Sequence, residues 1–252
     1  RGGTADAPLT VQAEKRGTVI IDGGRQCDHL FEVRDAPHVT IEGFELRWFK
    51  TSAVTIHDSA NVTVRHCMIW NEPWLKGTRS TGVGVLAEHA PNLEVDHCVL
   101  FAMNRAIVLR ASPGFRVTHN TATALLHGVV TFQCEQIQSV NGVCINNSFA
   151  FGGSYQITLI MSTNGKNSLM CDYNNVAMFL RPSVAAKVPP EEVIEPRDGD
   201  FQYYLREAKA VGADYGRPVP SLKEWREMGF GRHSIMKRPL YVDPWNHDFR
   251  LK

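Results

Sequence analysis

AVTIHDSANVTVRHC, at residues 53–67, returns twice in altered form, as VGVLAEHAPNLEVDHC at 83–98 and AIVLRASPGFRVTHN at 106–120. Each version contains a short β-rich run, a turn of small residues, a second β-rich run, and then His followed by Cys or Asn. A unit this short cannot bury its own apolar face and has to stack on its neighbours. The repeat therefore predicts a solenoid whose coils are built from short strands.

One column of residues runs through the repeat, just after the second β-rich run. Its members are aromatic, thiol or amide residues 22 to 31 positions apart: Phe44, Cys67, Cys98, Asn120, Asn147 and Asn174. Neighbouring coils lie about 4.8 Å apart, so stacked Asn side chains can hydrogen-bond from coil to coil. We expect the Cys residues of the repeat, with Cys144 and Cys171, to be small buried thiols.

The pattern resembles the right-handed parallel β-helix family, which includes polysaccharide lyases, glycoside hydrolases and C5-epimerases. Early coils of that family are similar to GTADAPLTVQA at 3–13 and GTVIIDGG at 17–24, and its closing segments to SLKEWR at 221–226, PLYVDP at 239–244 and DFRL at 248–251. The resemblance implies an all-β, single-stranded right-handed parallel β-helix filling one domain, 1–252. Coils are expected at about 17–176, a helical or loop insertion at about 181–232, and closing strands at 239–252.

Bulk composition narrows the function classes. The net charge is +1, which argues against a nucleic-acid binder driven by overall basicity. No apolar run approaches the roughly 18 residues of a membrane span. Six cysteines give no disulfide signature. We expect a monomer that is secreted, periplasmic or on the cell surface. Arg1 begins in what looks like mid-coil, so a preceding strand, cap or domain is expected.

The region after the coils breaks the repeat. We read Phe201–Ala210 as an amphipathic helix within a loop insertion, and Ser221 with Glu224 as a capping box that opens a short helix.

Alternation along the first strand of each coil predicts one outward row of ionisable side chains. With Val33, Ile56, Ala87 and Leu109 inward, the row contains Arg34, His57, Glu88, Arg110 and Gln133, with Asp35, Asp58 and His89 one position further on. Two interpretations remain open. The row is either a solvated ladder of salt bridges or a groove that binds polysaccharide.

Loops before the first strands are expected to form the wall of that groove. They contain aromatic and basic residues suited to stacking on sugar rings and binding carboxylates: Trp70, Trp74, Lys76, Arg79, Arg105 and His127. The Trp residues could equally cover the side of the coil.

A second column contains His66, His97 and His119. We expect these imidazoles to be exposed and to stack without converging, so no metal site is predicted there. Some family lyases hold calcium with clustered acids. Beyond Glu88 and Asp58 the sequence shows no such cluster, so the resemblance leaves calcium open and no cofactor is predicted.

Two reactions fit the row, with His57, Glu88, Arg110 and Asp58 as candidate catalytic residues. In β-elimination on a uronic-acid polysaccharide, Arg34, Arg110 or Arg105 neutralises the substrate carboxylate. His57, Lys76 or His127 abstracts the C5 proton, and a neighbouring group protonates the leaving oxygen. In glycoside hydrolysis, Glu88 and Asp58 are the two carboxylates. The alternative is a carbohydrate-binding or adhesin-like module. Convergence of the row in a cleft favours an enzyme, and a flat open face favours binding alone.

Overall fold

The computed structural model describes residues 1–71, 82–125, 128–133, 141–152, 155–162, 168–177, 201–206, 215–219, 222–235, 239–243 and 248–251. These residues form a parallel β-solenoid in which each coil gives one short strand to each of three sheets. The expected fold is therefore confirmed. Coiling begins earlier than residue 17, because the first strand already pairs in parallel with its counterpart in the next coil.

The first sheet collects the strands that precede the small-residue turn. In spatial order from the N-terminal end they are β3 (His29–Arg34), β6 (Ser52–His57), β9 (Val83–Glu88), β12 (Arg105–Arg110), β15 (Gly128–Gln133), β18 (Tyr155–Ser162), β21 (Phe201–Arg206) and β22 (Tyr215–Val219). All neighbours are parallel except β21 and β22, which are antiparallel.

The second sheet follows the turn, and the third follows the His-containing corner. The second sheet contains β1 (Leu9–Gln12), β4 (Val39–Glu42), β7 (Thr63–Arg65), β10 (Glu94–Asp96), β13 (Phe115–Thr118), β16 (Asn141–Ile145) and β19 (Ser168–Asp172). The third contains β2 (Ile20–Asp22), β5 (Glu45–Arg47), β8 (Met68–Trp70), β11 (Val99–Phe101), β14 (Thr121–Leu125), β17 (Ser148–Gly152) and β20 (Asn175–Ala177).

Left-handed backbone at fixed positions makes the corners. The corner between the second and third sheets is a single residue with φ near +50° to +58° in five successive coils: His66, His97, His119, Asn146 and Tyr173. Asn and His are enriched in this conformation. The backbone therefore explains much of the His column without any ligand chemistry.

The column beside that corner is buried. Asn120, Asn147 and Asn174 form a ladder of hydrogen bonds. Asn147 Oδ1 accepts the backbone N–H of Asn120 at 2.9 Å, and Asn174 Oδ1 accepts the backbone N–H of Asn147 at 3.0 Å. Cys67 and Cys98 occupy the column in earlier coils as buried free thiols, and Cys144 and Cys171 are also buried and free. Both expectations for the column are confirmed.

Short elements follow the coils: α1 (Leu222–Glu227) and an antiparallel hairpin of β23 (Tyr241–Asp243) and β24 (Asp248–Leu251). Trp225 of α1 is buried in the core cluster and packs on Phe230, with ring centroids 4.8 Å apart. The hairpin packs on the outer face of the third sheet through Phe249, whose ring centroid lies 5.0 Å from that of Phe101. The short helix near the C-terminus is thus confirmed.

The helix expected at 201–210 is wrong for its described part. Residues 201–206 form β21, which pairs in parallel with β18 and satisfies backbone groups that would otherwise lie at the edge of the first sheet. An available sheet edge overrides the weak helical pattern. Within the described residues, no helix has the length and apolar character needed to cross a membrane.

Candidate functional site

The outward row of the first sheet has the expected order. Backbone pairing places Arg34 beside His57, His57 beside Glu88, Glu88 beside Arg110, and Arg110 beside Gln133. The strands β3, β6, β9, β12 and β15 hold these positions at the same level because their pairing is in register. Side chains that are 22 to 31 residues apart in sequence thereby become direct neighbours.

Three members of the row contact one another. Glu88 is at the centre: its Oε2 lies 3.4 Å from His57 Nδ1, and its Oε1 accepts a hydrogen bond from Arg110. The side chains of His57 and Glu88 are 22% and 28% exposed. Both are therefore held in place by neighbours while remaining reachable from solvent.

Arg34 takes part differently. Its guanidinium binds Glu32 on the same strand, with Nη2 2.7 Å from Oε1, and this hydrogen bond lowers the pKa of Glu32. The Arg34 side chain is 55% exposed, so an anionic ligand can compete for it.

The sheet face next to the row is covered at two described positions but remains exposed at Glu32, the register neighbour of Thr55. Thr55 and Val108 lie two residues before His57 and Arg110 on the same outer face, and they are 0% and 2% exposed. From His57 to Arg110, the row therefore lies at the border between a covered part of the first sheet and solvent. This geometry differs from the flat, open face that a purely structural ladder would present.

The following positions form a second pair. Asp58 and His89 both have left-handed φ, at +48° and +52°, and Asp58 Oδ1 lies 3.4 Å from His89 Nδ1. Asp58 is more than half exposed. The two candidate acids thus have different partners: Glu88 contacts His57 and Arg110 of the row, and Asp58 contacts His89 in the adjoining turn.

The expected basic and aromatic wall is only partly described. Trp74, Lys76, Arg79 and His127 lie outside the described residues, and Gln133 is described for its backbone alone. Arg105 begins the strand that Arg110 ends, so strand rise places their backbones about 16 Å apart. Burial and the charge of Arg110 lower the pKa of Arg105.

Trp70 does not lie in a loop before the first sheet. It is the last residue of β8 in the third sheet. Because the preceding Ile69 is buried, Trp70 lies on the outer face of that sheet. Its indole packs edge-on against Trp48 at 5.8 Å and stacks on Phe101 at 5.9 Å, and Arg47 lies over both Trp rings. Trp70 therefore helps to cover the third sheet, which supports the covering interpretation for this residue.

The His column both stacks and converges. His97 and His119 have ring centroids 4.6 Å apart, as expected for stacking. Their Nδ1 atoms also meet one carboxylate, because Asp96 Oδ2 lies 2.6 Å from His97 Nδ1 and Asp96 Oδ1 lies 3.1 Å from His119 Nδ1. The expectation that the imidazoles would not converge is wrong for His97 and His119, while His66 is not part of the group. The signal in the sequence is Asp96 at the end of β10, directly before a corner that carries His in three successive coils.

The hydrogen bonds at this cluster favour the ionised form of Asp96. Burial acts to raise the pKa of Asp96, but hydrogen bonds from Thr118, His97 and His119 outweigh it and lower the pKa to about 2. Asp96 is therefore ionised at neutral pH.

Calcium, which the family resemblance made conceivable, does not fit the row. Calcium takes six to eight oxygen ligands. Glu32 and Glu88 are each bound to an Arg, and Asp58 is beside His89. Among the described residues, the one group of three converging His, Cys, Asp or Glu side chains is Asp96 with its two imidazoles, which is not a calcium donor set.

Comparison with known proteins agrees with the fold. Residues 17–170 match the family model described as "Right handed beta helix region". No curated protein matches the sequence.

Proposed function

The chain belongs to the right-handed β-helix family, whose fold occurs in carbohydrate-active enzymes and adhesins, and from that premise we propose that it cleaves an acidic polysaccharide by β-elimination along the outer row of the first sheet. The fold alone does not decide the reaction. The observation that carries the proposal is the contact of His57, Glu88 and Arg110 across three successive coils.

The row suits an extended polymer. Its side chains repeat at the coil spacing of about 4.8 Å, close to the length of one sugar ring. Arg34 and Arg110 lie three coils apart and can each bind a substrate carboxylate. Binding a carboxylate with a guanidinium also stabilises the negative charge that develops when the adjacent C5 proton leaves.

His57 is the proposed general base. The Glu88 carboxylate beside Nδ1 holds the imidazole in one orientation and favours the tautomer with the proton on Nδ1. Nε2 is then left to accept the C5 proton. Formation of the C4–C5 double bond expels the glycosidic oxygen, which takes a proton from solvent or from the protonated imidazole.

Hydrolysis by Glu88 and Asp58 is supported less well. That reaction needs one carboxyl group to be a proton donor. Both Glu88 oxygens are already next to donors, His57 and Arg110, and Asp58 is beside His89. We propose the same secreted, periplasmic or cell-surface location expected from the sequence, because polymeric substrates of this kind lie outside the cytoplasm.

The test is a panel of acidic and neutral polysaccharides, followed both by ultraviolet absorbance of new double bonds and by reducing ends. His57→Ala and Glu88→Gln are expected to lower turnover by about 10²- to 10⁴-fold, the usual contribution of a positioned base. Arg116→Gln is the matched control, because Arg116 is an exposed, ion-paired residue of the second sheet.

Each outcome has a separate meaning. Double-bond absorbance that is lost in both row variants but kept in Arg116→Gln and Asp58→Asn supports elimination. Reducing ends without that absorbance, lost in Asp58→Asn, would show hydrolysis instead. Wild-type activity in both row variants rejects the site, and saturable binding without products would establish the binding module.

A further inference from the structure

A cluster outside the proposed groove brings three ligand-type side chains together. Asp96 ends β10 of the second sheet, His97 is the corner residue after it, and His119 is the corner residue of the next coil. One ligand atom from each of the three residues lies within 4.8 Å of the other two. Two adjacent coils thus supply one compact set of donors.

The donor geometry is close to that of a coordinated ion. A tetrahedral site with ligands about 2.1 Å from a zinc-type ion places neighbouring ligand atoms roughly 3.4 Å apart. The two Nδ1 atoms are 2.6 and 3.1 Å from Asp96 oxygens. The three ligand atoms lie within 4.8 Å of one another, so changes of at most about 1.4 Å in their separations would give the spacing of a coordination site.

Supporting contacts are also in place. Thr118 Oγ1 donates to Asp96 Oδ1 at 2.6 Å, which fixes the orientation of the carboxylate. His119 Nε2 lies 3.3 Å from the side-chain amide of Asn146. If Nδ1 binds an ion, the Nε2–H of a neutral imidazole can donate to the amide oxygen, so binding needs a change of tautomer at His119 and a flip of the Asn146 amide.

The neighbouring cation does not neutralise Asp96. Arg65 is the register neighbour of Asp96 in the preceding coil, but its guanidinium is bound to Glu42, with Nη2 2.7 Å and Nε 2.8 Å from Oε2. The carboxylate is therefore available to a ligand cation.

We propose that Asp96, His97 and His119 bind a divalent transition-metal ion of the zinc, nickel or copper class, which ties two adjacent coils together. Two imidazole nitrogens and one carboxylate suit these ions and not calcium or magnesium. All three side chains are partly exposed, so water completes the coordination. The cluster lies on the second sheet and its corner, so the proposal does not depend on the polysaccharide reaction.

The test is calorimetric titration of the full chain with Zn²⁺ and Ni²⁺ after chelator treatment. His119→Asn and Asp96→Asn are expected to weaken binding by at least about tenfold, the lower limit for losing even a supporting group of a metal site. His66→Asn is the matched control: His66 has the same left-handed corner but follows Arg65 instead of an acid. Asn already occupies this corner as Asn146, so the His variants are expected to fold.

Two further readouts sharpen the test. Cu²⁺ bound to the wild-type protein should show nitrogen couplings in its electron paramagnetic resonance spectrum, reduced in His119→Asn. Zn²⁺ should raise the melting temperature of the wild-type protein and of His66→Asn but not of His119→Asn, because only intact sites link two coils. Absence of binding up to about 1 mM, equal binding by His119→Asn and wild type, or an equal loss in His66→Asn would each overturn the proposal.

Discussion

Replacing Asn147 with Ala tests the amide ladder that holds the coils in register. Asn147 is 3% exposed and contacts the coils above and below it. Its Oδ1 accepts the backbone N–H of Asn120 at 2.9 Å, and its Nδ2 donates to the Val117 carbonyl at 2.9 Å and to Asn174 Oδ1 at 3.0 Å. The substitution removes all of these contacts at once.

The expected cost follows from which groups lose their partners. The buried N–H of Asn120 loses this acceptor, and an unsatisfied buried donor costs about 1–3 kcal/mol. Loss of the two Nδ2 bonds adds about 1 kcal/mol, taking the lower limit of about 0.5 kcal/mol for each net hydrogen bond. The sum is about 3 kcal/mol. For a chain of this size, that corresponds to a melting temperature about 6–12 °C lower.

Thermal unfolding followed by circular dichroism measures the effect, with urea unfolding as a second probe. Asn146→His is the matched control, because Asn146 is the adjacent amide, is exposed, and has the corner conformation that His119 adopts one coil earlier. The control should melt within about 2 °C of wild type, as expected for a surface change. A melting temperature for Asn147→Ala equal to that of Asn146→His would refute the ladder as a source of stability.

Two further predictions concern the end of the solenoid and its strand spacing. Burial alone would raise the pKa of Asp172, but hydrogen bonds from the His233 side chain and backbone lower this pKa below 3.8. The stabilisation that the ionised Asp172 gives the folded protein is therefore present above pH 3.8 and lost as the pH falls through the lower folded pKa. Asp172→Asn should melt at a lower temperature than wild type at pH 7 and lose less stability on acidification from pH 5. An equal acid-induced loss in both proteins would contradict this. A Cβ at Gly84 would lie 2.6 Å from the Ala106 carbonyl oxygen of the next coil, so Gly84→Ala should cost about 1–3 kcal/mol by overpacking, and a melting temperature at or above wild type would show that the coils can separate freely.

The repeat made the solenoid predictable, because a period-2 strand pattern and a fixed corner specify which residues are stacked. Once the inward positions were assigned, the neighbours of His57 and Glu88 followed without any three-dimensional information. The row was therefore predicted in its order. Its half-buried setting was not, because the burial of Thr55 depends on what packs against the outer face.

Other features depend on tertiary context that the repeat does not encode. Residues 201–206 pair with β18 only because that strand has an open edge. Trp70 was assigned to a loop because the short third strand carries a weak pattern of three residues. The convergence of His97 and His119 on Asp96 depends on side-chain rotation at left-handed corners, which spacing alone does not give.

The inner column and the outer row separate stability from chemistry. The coils that carry Arg34, His57 and Glu88 have Phe44, Cys67 and Cys98 in the column, so they rest mainly on apolar packing. The ladder of Asn side chains begins one coil later and continues toward the C-terminal end.

In a solenoid, each coil is stabilised mainly by its direct neighbours. A change at Asn147 should therefore lower the melting temperature while leaving the geometry of His57 and Glu88 intact below the transition. Glu88→Gln should instead change the row and leave the melting temperature nearly unchanged, because it keeps the shape of a partly exposed side chain and removes its charge. This separation also explains physically why one fold supports many reactions. The inward residues stabilise the coil, and the outward residues can vary without disturbing it.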